Sequence, residues 1–392
     1  MLFMKHFRYY LFFIILGIVL SPLFANAVVQ YTVTDLGSFG GDSTTAYGVN
    51  DLGLVVGRSE NISSDRIAYL WESGVLINLG YSGDSESEAR SINNFGQVAG
   101  FYQSLNGDGA FLWLPEPAYG LPAGMNNLGT LGGPSSAAND INNKGQIVGR
   151  SFPSLEMVPS HAFLWENGIM QDLGTLEGDF SSAFAINDAG QVVGIADYKI
   201  GDPVNAFIWL PEPAYGLPAG MNRIGSDPSI GLAAFDINNS GYVVGFQSGE
   251  SPDQRAILWQ AGASNELQIL IEERSTATAI NDSGWVVGRF DAQPGTSLNH
   301  AFIFRDGQVT DLNNLIDPNS GWILTSASDI SNSGFIVGIG QKDGVSRAFI
   351  LTPVPEPSSF AFAFGAFIII ASRSALTHLK TQHNHLRSRC RL

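Results

Sequence analysis

The chain has 392 residues, 44% of them hydrophobic and 14% charged, with 45 glycines and a formal net charge of −16. That composition suits a globular, turn-rich protein with a large core, and its negative charge argues against nucleic acid as a partner. The one cysteine, Cys390, stands in the tail, so the body can hold no disulfide.

Basic residues gather at the two ends, leaving an acidic body whose favoured partners are cations, basic proteins or neutral sugars. Residues 1–27 read as a secretory leader. Lys5 and Arg8 make a basic start, Tyr9 to Leu20 an apolar stretch, and Ala25-Asn26-Ala27 a small-residue cleavage site. The mature chain is expected to begin at Val28. The apolar run is short for an uncleaved anchor, which is the alternative.

From Tyr31 onward one nine-residue pattern returns seven times: VNDLGLVVG, INNFGQVAG, INNKGQIVG, INDAGQVVG, INNSGYVVG, INDSGWVVG and ISNSGFIVG. The copies end at Gly57, Gly100, Gly149, Gly194, Gly245, Gly288 and Gly338, with spacings of 43 to 51 residues. Such a period marks an array of blades or coils. Each unit holds four strand-like pieces. Piece a is an Ala-aromatic-aliphatic run such as AFLW at Ala162; piece b carries Asp-Leu-Gly, as at Asp172; piece c holds an Ala three residues before the Ile or Val; piece d is the Val-Val-Gly run.

The polar step between c and d reads as a tight hairpin turn with glycine at positive φ. A similar spacer joins a to b, so each unit is expected to form one four-stranded antiparallel sheet. The chain opens on b, c and d, continues through six full units, and ends on a lone piece a at Ala348. Those fragments match if the last strand completes the first sheet. The expectation is an all-β, seven-bladed propeller over residues 28–353, closed by its C-terminal strand. A β-solenoid is the rival, but the unit is long and antiparallel for one coil.

The segment WLPEPAYGLPAGMN occurs twice unchanged, from Trp113 and from Trp209, lengthening two a–b turns. Duplication of a two-blade block explains the identity. The turns would still carry Tyr119 and Tyr215 on one rim, a candidate partner-binding edge. His161 and His300 fall in non-adjacent units, where a hydrogen-bonding strand-end role outweighs a metal or a general base. The stretches from Asp236 to Gly241 and from Asp329 to Gly334 have oxygen-rich spacing, but each supplies a single carboxylate, so hairpin turn is preferred to calcium loop. No serine elbow, HExxH or phosphate loop is present, and no catalytic residue, cofactor or metal ligand is assigned.

These repeats resemble the extracellular HAF repeat family, whose His-Ala-Phe triplet stands at His161-Ala162-Phe163 and His300-Ala301-Phe302. The likeness covers about residues 31 to 353 and implies a repeat protein outside the cytoplasm, without assigned chemistry. The C-terminus resembles a PEP-CTERM sorting signal: Pro355-Glu356-Pro357, the apolar run Phe360 to Ala371, and Arg373. It departs from that pattern in its short apolar run and in the residues after Arg373. The resemblance implies an exosortase-type processing enzyme, a transient inner-membrane contact over 354–376 with a basic tail at 377–392, and the surface of a Gram-negative bacterium that makes exopolysaccharide.

The expected function is therefore a non-enzymatic cell-surface or matrix module, acting as scaffold or adhesin toward exopolysaccharide or surface proteins. The alternative is a carbohydrate-binding or carbohydrate-active protein with its site in the propeller channel. Acids or aromatics gathered from several blades in one funnel would favour the alternative; a funnel of Ala, Val and Ser would favour the scaffold.

Overall fold

The computed structural model describes residues 31–355 apart from 81–85, 105–106, 156–158, 198, 200–202, 228, 249–253, 263–266 and 294–297. The leader, with Ala25 and Ala27, and the segment bearing Glu356, Pro357 and Arg373 lie outside the described residues, as do the expected terminal helices. Among the described residues no helix is long and apolar enough to cross a membrane. By its contacts Tyr31–Thr352 forms one compact body.

The body holds twenty-eight described strands in seven four-stranded sheets, all formed from consecutive antiparallel neighbours except the closing one. Blade 1 shows the plan: β2 (Gly40–Val49), β3 (Val55–Asn61), β4 (Arg66–Glu72) and β5 (Val75–Asn78), in that order. The inner strands of blades 2 to 7 are β6 (Ser87–Ile92), β10 (Ser136–Ile141), β14 (Ser181–Ile186), β18 (Leu232–Ile237), β22 (Ser275–Ile280) and β26 (Trp322–Ile330). Each touches the next, and β26 returns to β2, so the ring is closed.

The pieces are grouped differently from the sequence expectation. Each blade runs c, d, a, b from axis to edge, so the phase is shifted by half a repeat. Blade 7 takes β26, β27 (Ile336–Lys342) and β28 (Val345–Pro353) from the C-terminal end and β1 (Tyr31–Asp35) from the N-terminal end. The Ala348 strand does pair with the Tyr31 strand, and the Leu36 N–H donates to the Ala348 carbonyl at 3.2 Å. However, the first strand is added to the last blade, because pieces c and d of the opening fragment belong with the following a and b. The b-to-c link is thus the crossing between blades.

Packing explains the repeated letters. In every inner strand the Ala sits opposite the Gly that ends piece d, as Ala138 faces Gly149, and a β-bulge follows at once. On the third strand the same Gly faces the aromatic or aliphatic residue after the Ala, as Gly149 faces Phe163. A Cβ at Gly149 would fall on the Ala137 carbonyl oxygen. The small pair leaves room for Phe163, which is fully buried. Alternation does the rest: Phe163 and Trp165 pack toward blade 2, while Ala162 and Leu164 pack toward blade 4. The core is a set of layers between blades. Burying a side chain of this size contributes about 1.5–3 kcal/mol.

Candidate functional site

The seven c–d turns converge on the axis at one rim, where a cavity of about 170 Å³ opens. Six copies place Asn after the Ile or Val; blade 7 has Ser331. Each Asn Oδ1 accepts the N–H groups two and four residues on, as Asn187 does from Ala189 and Gln191, both at 3.0 Å. That is the turn the sequence suggested, and its glycines hold φ of 73–83°.

The Asn Nδ2 does something the sequence reading missed. It donates to the carbonyl of the equivalent residue one blade on, from Asn50 to Asn93 and so around to Ser331, at 3.0–3.1 Å. The following residues form a second ring: the N–H of Asp51 donates to Asn94 Oδ1, and the pattern continues to Asn332, at 2.8–3.0 Å. At the closing joint Ser333 replaces it, donating from N–H and Oγ to Asp51 Oδ1 and O at 3.1 and 3.0 Å. The available signal was Asn in six copies, where turn chemistry alone would accept Asp or Ser as readily.

Below these rings, alternate blades contribute a carboxylate. Asp140 accepts from the N–H of Ile141 and, across the blade 3–4 interface, of Ile186, both at 2.8 Å, and from Ser91 Oγ at 2.6 Å. Asp236 links Ile237 to Ile280 of blade 6 at 2.8 and 2.7 Å. Asp329 links Ile330 to Val49 of blade 1 at 2.7 and 2.8 Å, clamping the ring shut. Burial raises all three carboxyls above their ordinary range, Asp236 well above it and Asp329 to about 6, and neighbouring aspartates add to the effect. In the stretches once weighed as calcium loops, the Asp236 and Asn238 oxygens are therefore aimed at separate amides. Among the described residues no group of three His, Cys, Asp or Glu is placed to share a metal ion.

One residue earlier on each inner strand, the bulge turns out Tyr47, Arg90, Asn139, Phe184, Phe235, Thr278 and Ser328, all half-buried. These reach along the wall: Asn139 donates to the Ala183 carbonyl at 2.6 Å, and the Phe184 and Phe235 rings lie 5.6 Å apart. Arg90 lies over the Tyr47 and Phe101 rings, 5.2 and 5.3 Å from their centres. Buried Glu88 holds both Arg90 and, at 2.9 Å, Arg58. The sequence reading left this cluster unnoticed, since its members come from four separate strands.

The two histidines are strand-end partners. His161 Nδ1 lies 2.8 Å from Asp172 Oδ2, and His300 Nδ1 lies 2.6 Å from Asp311 Oδ2, tying each His-Ala-Phe to the Asp-Leu step of piece b within one blade. Tyr119 and Tyr215 stand on the turn-bearing rim, but both fold back. Tyr119 Oη donates to Gln97 at 3.1 Å and its ring packs edge-on to Trp165 of blade 3. Tyr215 is 38% exposed, meets Gln191 at 3.0 Å and lies against Gly241 and Gly262 of blade 5. The Pro-Glu-Pro of each long turn is exposed, as are Pro122 and Ala123 in one and Pro218 and Ala219 in the other.

These features define a closed, seven-bladed, all-β propeller with a polar axial funnel. Neither a protein-family model nor a curated protein sequence matches the chain significantly. Its fold is similar to the β-propeller domain of the Trilobed protease from Pyrococcus furiosus: TM-score 0.51, 10% identity, covering 84% of this chain and 99% of that one. It is also similar to prolyl oligopeptidase B from Galerina marginata: TM-score 0.53, 10% identity, covering 84% of this chain and 50% of that one. The chain thus spans half the length of that peptidase. At such identity the likeness is one of fold alone.

Proposed function

We propose that the protein is an exported, non-enzymatic ring that serves as a scaffold or adhesion module at the surface of a Gram-negative bacterium, sorted through its Pro355-Glu356-Pro357 segment by an exosortase-type enzyme. The observation that carries this reading is the bonding at the funnel. Acids do gather there from several blades, which taken alone favours a ligand site. Their oxygens and the asparagine amides, however, are bound to one another around the ring. Groups so committed build a rigid frame, which suits a spacer that presents its rims. The test is fractionation of the native host with mass spectrometry of the mature ends. A protein starting at Val28, ending near Pro357 and found outside the cytoplasmic membrane is expected; a cytoplasmic protein with residues 1–27 retained would overturn it.

A second reading has its own support, the half-buried Tyr47, Phe184 and Phe235 of the inner strands, which offer aromatic rings for sugar stacking. Binding of purified host exopolysaccharide that is lost in Phe184→Ala and Phe235→Ala, with folding intact, would select the carbohydrate-binding alternative.

A further inference from the structure

We propose that Asp140, Asp236 and Asp329 form an acid-tightened lock on the ring, in which proton uptake relieves their mutual repulsion and strengthens the blade interfaces they bridge. This goes beyond the scaffold reading and stands on the geometry of the axis, whatever the ring carries. The three carboxylates occupy blades 3, 5 and 7 at one level of the inner strands, where the intervening blades hold Gly48, Ser91, Ala185 and Ala279. Each spans an interface through two backbone amides, and none forms an ion pair among the described residues.

The charged groups turned toward them are acidic. Asp51, on the turn after β2, and Asp140 act on Asp329; Asp140 and Asp329 act on Asp236; Asp188, on the turn after β14, acts on Asp140. Asp282 stands in the mouth ring above β22. On β6, Arg90 is committed to Glu88, and Lys144 is exposed at the tip of the turn after β10. Amide dipoles compensate these charges in part, and no lysine or arginine pairs with them among the described residues.

A like-charge group enclosed this way holds protons at a pH where the unfolded chain, with aspartate near 3.9, has released them. The folded ring then binds more protons than the unfolded chain between about pH 4 and 6, so stability falls as pH rises through that window and is regained on acidification. Protonation leaves each carboxyl one oxygen without a hydrogen, so the cross-blade amide keeps its acceptor.

The experiment is thermal unfolding of the full protein at constant ionic strength between pH 4.5 and 7.5. Variants are Asp329→Ala and Asp236→Ala, which place there the residue that Ala185 and Ala279 already provide. Glu116→Gln, on an exposed turn, controls for the loss of one charge. Wild type and Glu116→Gln are expected to gain several degrees in Tm from pH 7.5 to 4.5, and the aspartate variants to gain clearly less. Parallel curves for wild type and Asp329→Ala would overturn the lock. Should the variants fail to fold, proton release on urea unfolding of the wild type at pH 5.5 decides: about one or more protons released per molecule is expected, and none released, or protons taken up, refutes the proposal.

Discussion

Asn187→Ala isolates the cross-blade belt, because this side chain is 4% exposed and makes all its bonds inside the ring. Alanine leaves the buried Gln191 N–H without an acceptor, removes one of the two donors to the Asn238 carbonyl, which keeps the Gly241 N–H, and weakens the turn through the Ala189 N–H. The orphaned Gln191 N–H costs about 1–3 kcal/mol, and the bonds lost at the Asn238 carbonyl and the Ala189 amide add about 1 kcal/mol, so about 2–4 kcal/mol is expected. With an unfolding entropy of about 2.1 cal/mol/K per residue over roughly 320 residues, 1 kcal/mol moves Tm by about 1.5 °C, giving a fall of about 3–6 °C. Asn187→Ser should recover about 1 kcal/mol, since Ser331 still accepts the Phe335 N–H at 3.1 Å in blade 7. The assay is calorimetry, with circular dichroism confirming the native strand signal. An Asn187→Ala protein that melts within a degree of wild type would show that the belt carries no stability. Were Asn a turn residue only, its loss would be cheaper than loss of the turn glycine; the belt reverses that order.

Gly190→Val, at φ 78° where an added Cβ would meet Gln146 and Pro211 only at ordinary contact distance, should cost about 1–3 kcal/mol by urea unfolding, and Gly145→Val more, because its Cβ would fall on the Tyr119 hydroxyl. Gly149→Ala should be worse than either glycine's strain alone, since the added carbon meets the Ala137 carbonyl and the backbone must move; a Tm equal to wild type would refute the Ala-Gly-Phe packing. Deleting residues 347–353 removes most of β28, leaving β1 without its partner, and should lower Tm far more than an exposed-loop truncation of equal length. The apolar run Phe360 to Ala371 would span about 18 Å as a helix against a hydrocarbon core of about 30 Å, so the mature protein is expected to lack everything after about Pro357, Cys390 included. Recovery of the intact C-terminus only from the inner membrane would refute that.

Blade number, strand count and turn glycines could be read from the sequence because each is a local, periodic property: a hairpin needs its positive φ and a strand its alternation wherever it lies. Blade phase could not be read that way. Pieces a and b, and pieces c and d, each look like a closed hairpin, and only the register between Gly149 and Phe163 shows that d also pairs with a. The funnel was legible in composition but not in connection. Asp236 and Asp329 stood out as oxygen donors, yet their partners lie in the following blade, 44 residues on for Asp236 and at the other end of the chain for Asp329.

That last pair shows how a ring made from similar units closes. Six joints use an asparagine amide to reach the next blade, whereas at the seventh Ser331 is too short to reach Asn50. The joint is held by Asp329 on Val49, by Ser333 on Asp51 and, at the outer edge, by β1 on β28. Two of these three fastenings depend on an aspartate, and one of those carboxylates titrates near 6. The interface that joins the two ends of the folded body is therefore the one that lacks an asparagine amide and leans instead on a carboxylate whose contribution weakens as pH rises. Unfolding should begin there at neutral pH. Hydrogen exchange would show it as faster exchange of the Val49 and Leu36 amides than of the Ile186 and Ile280 amides, and equal protection at all four would count against it.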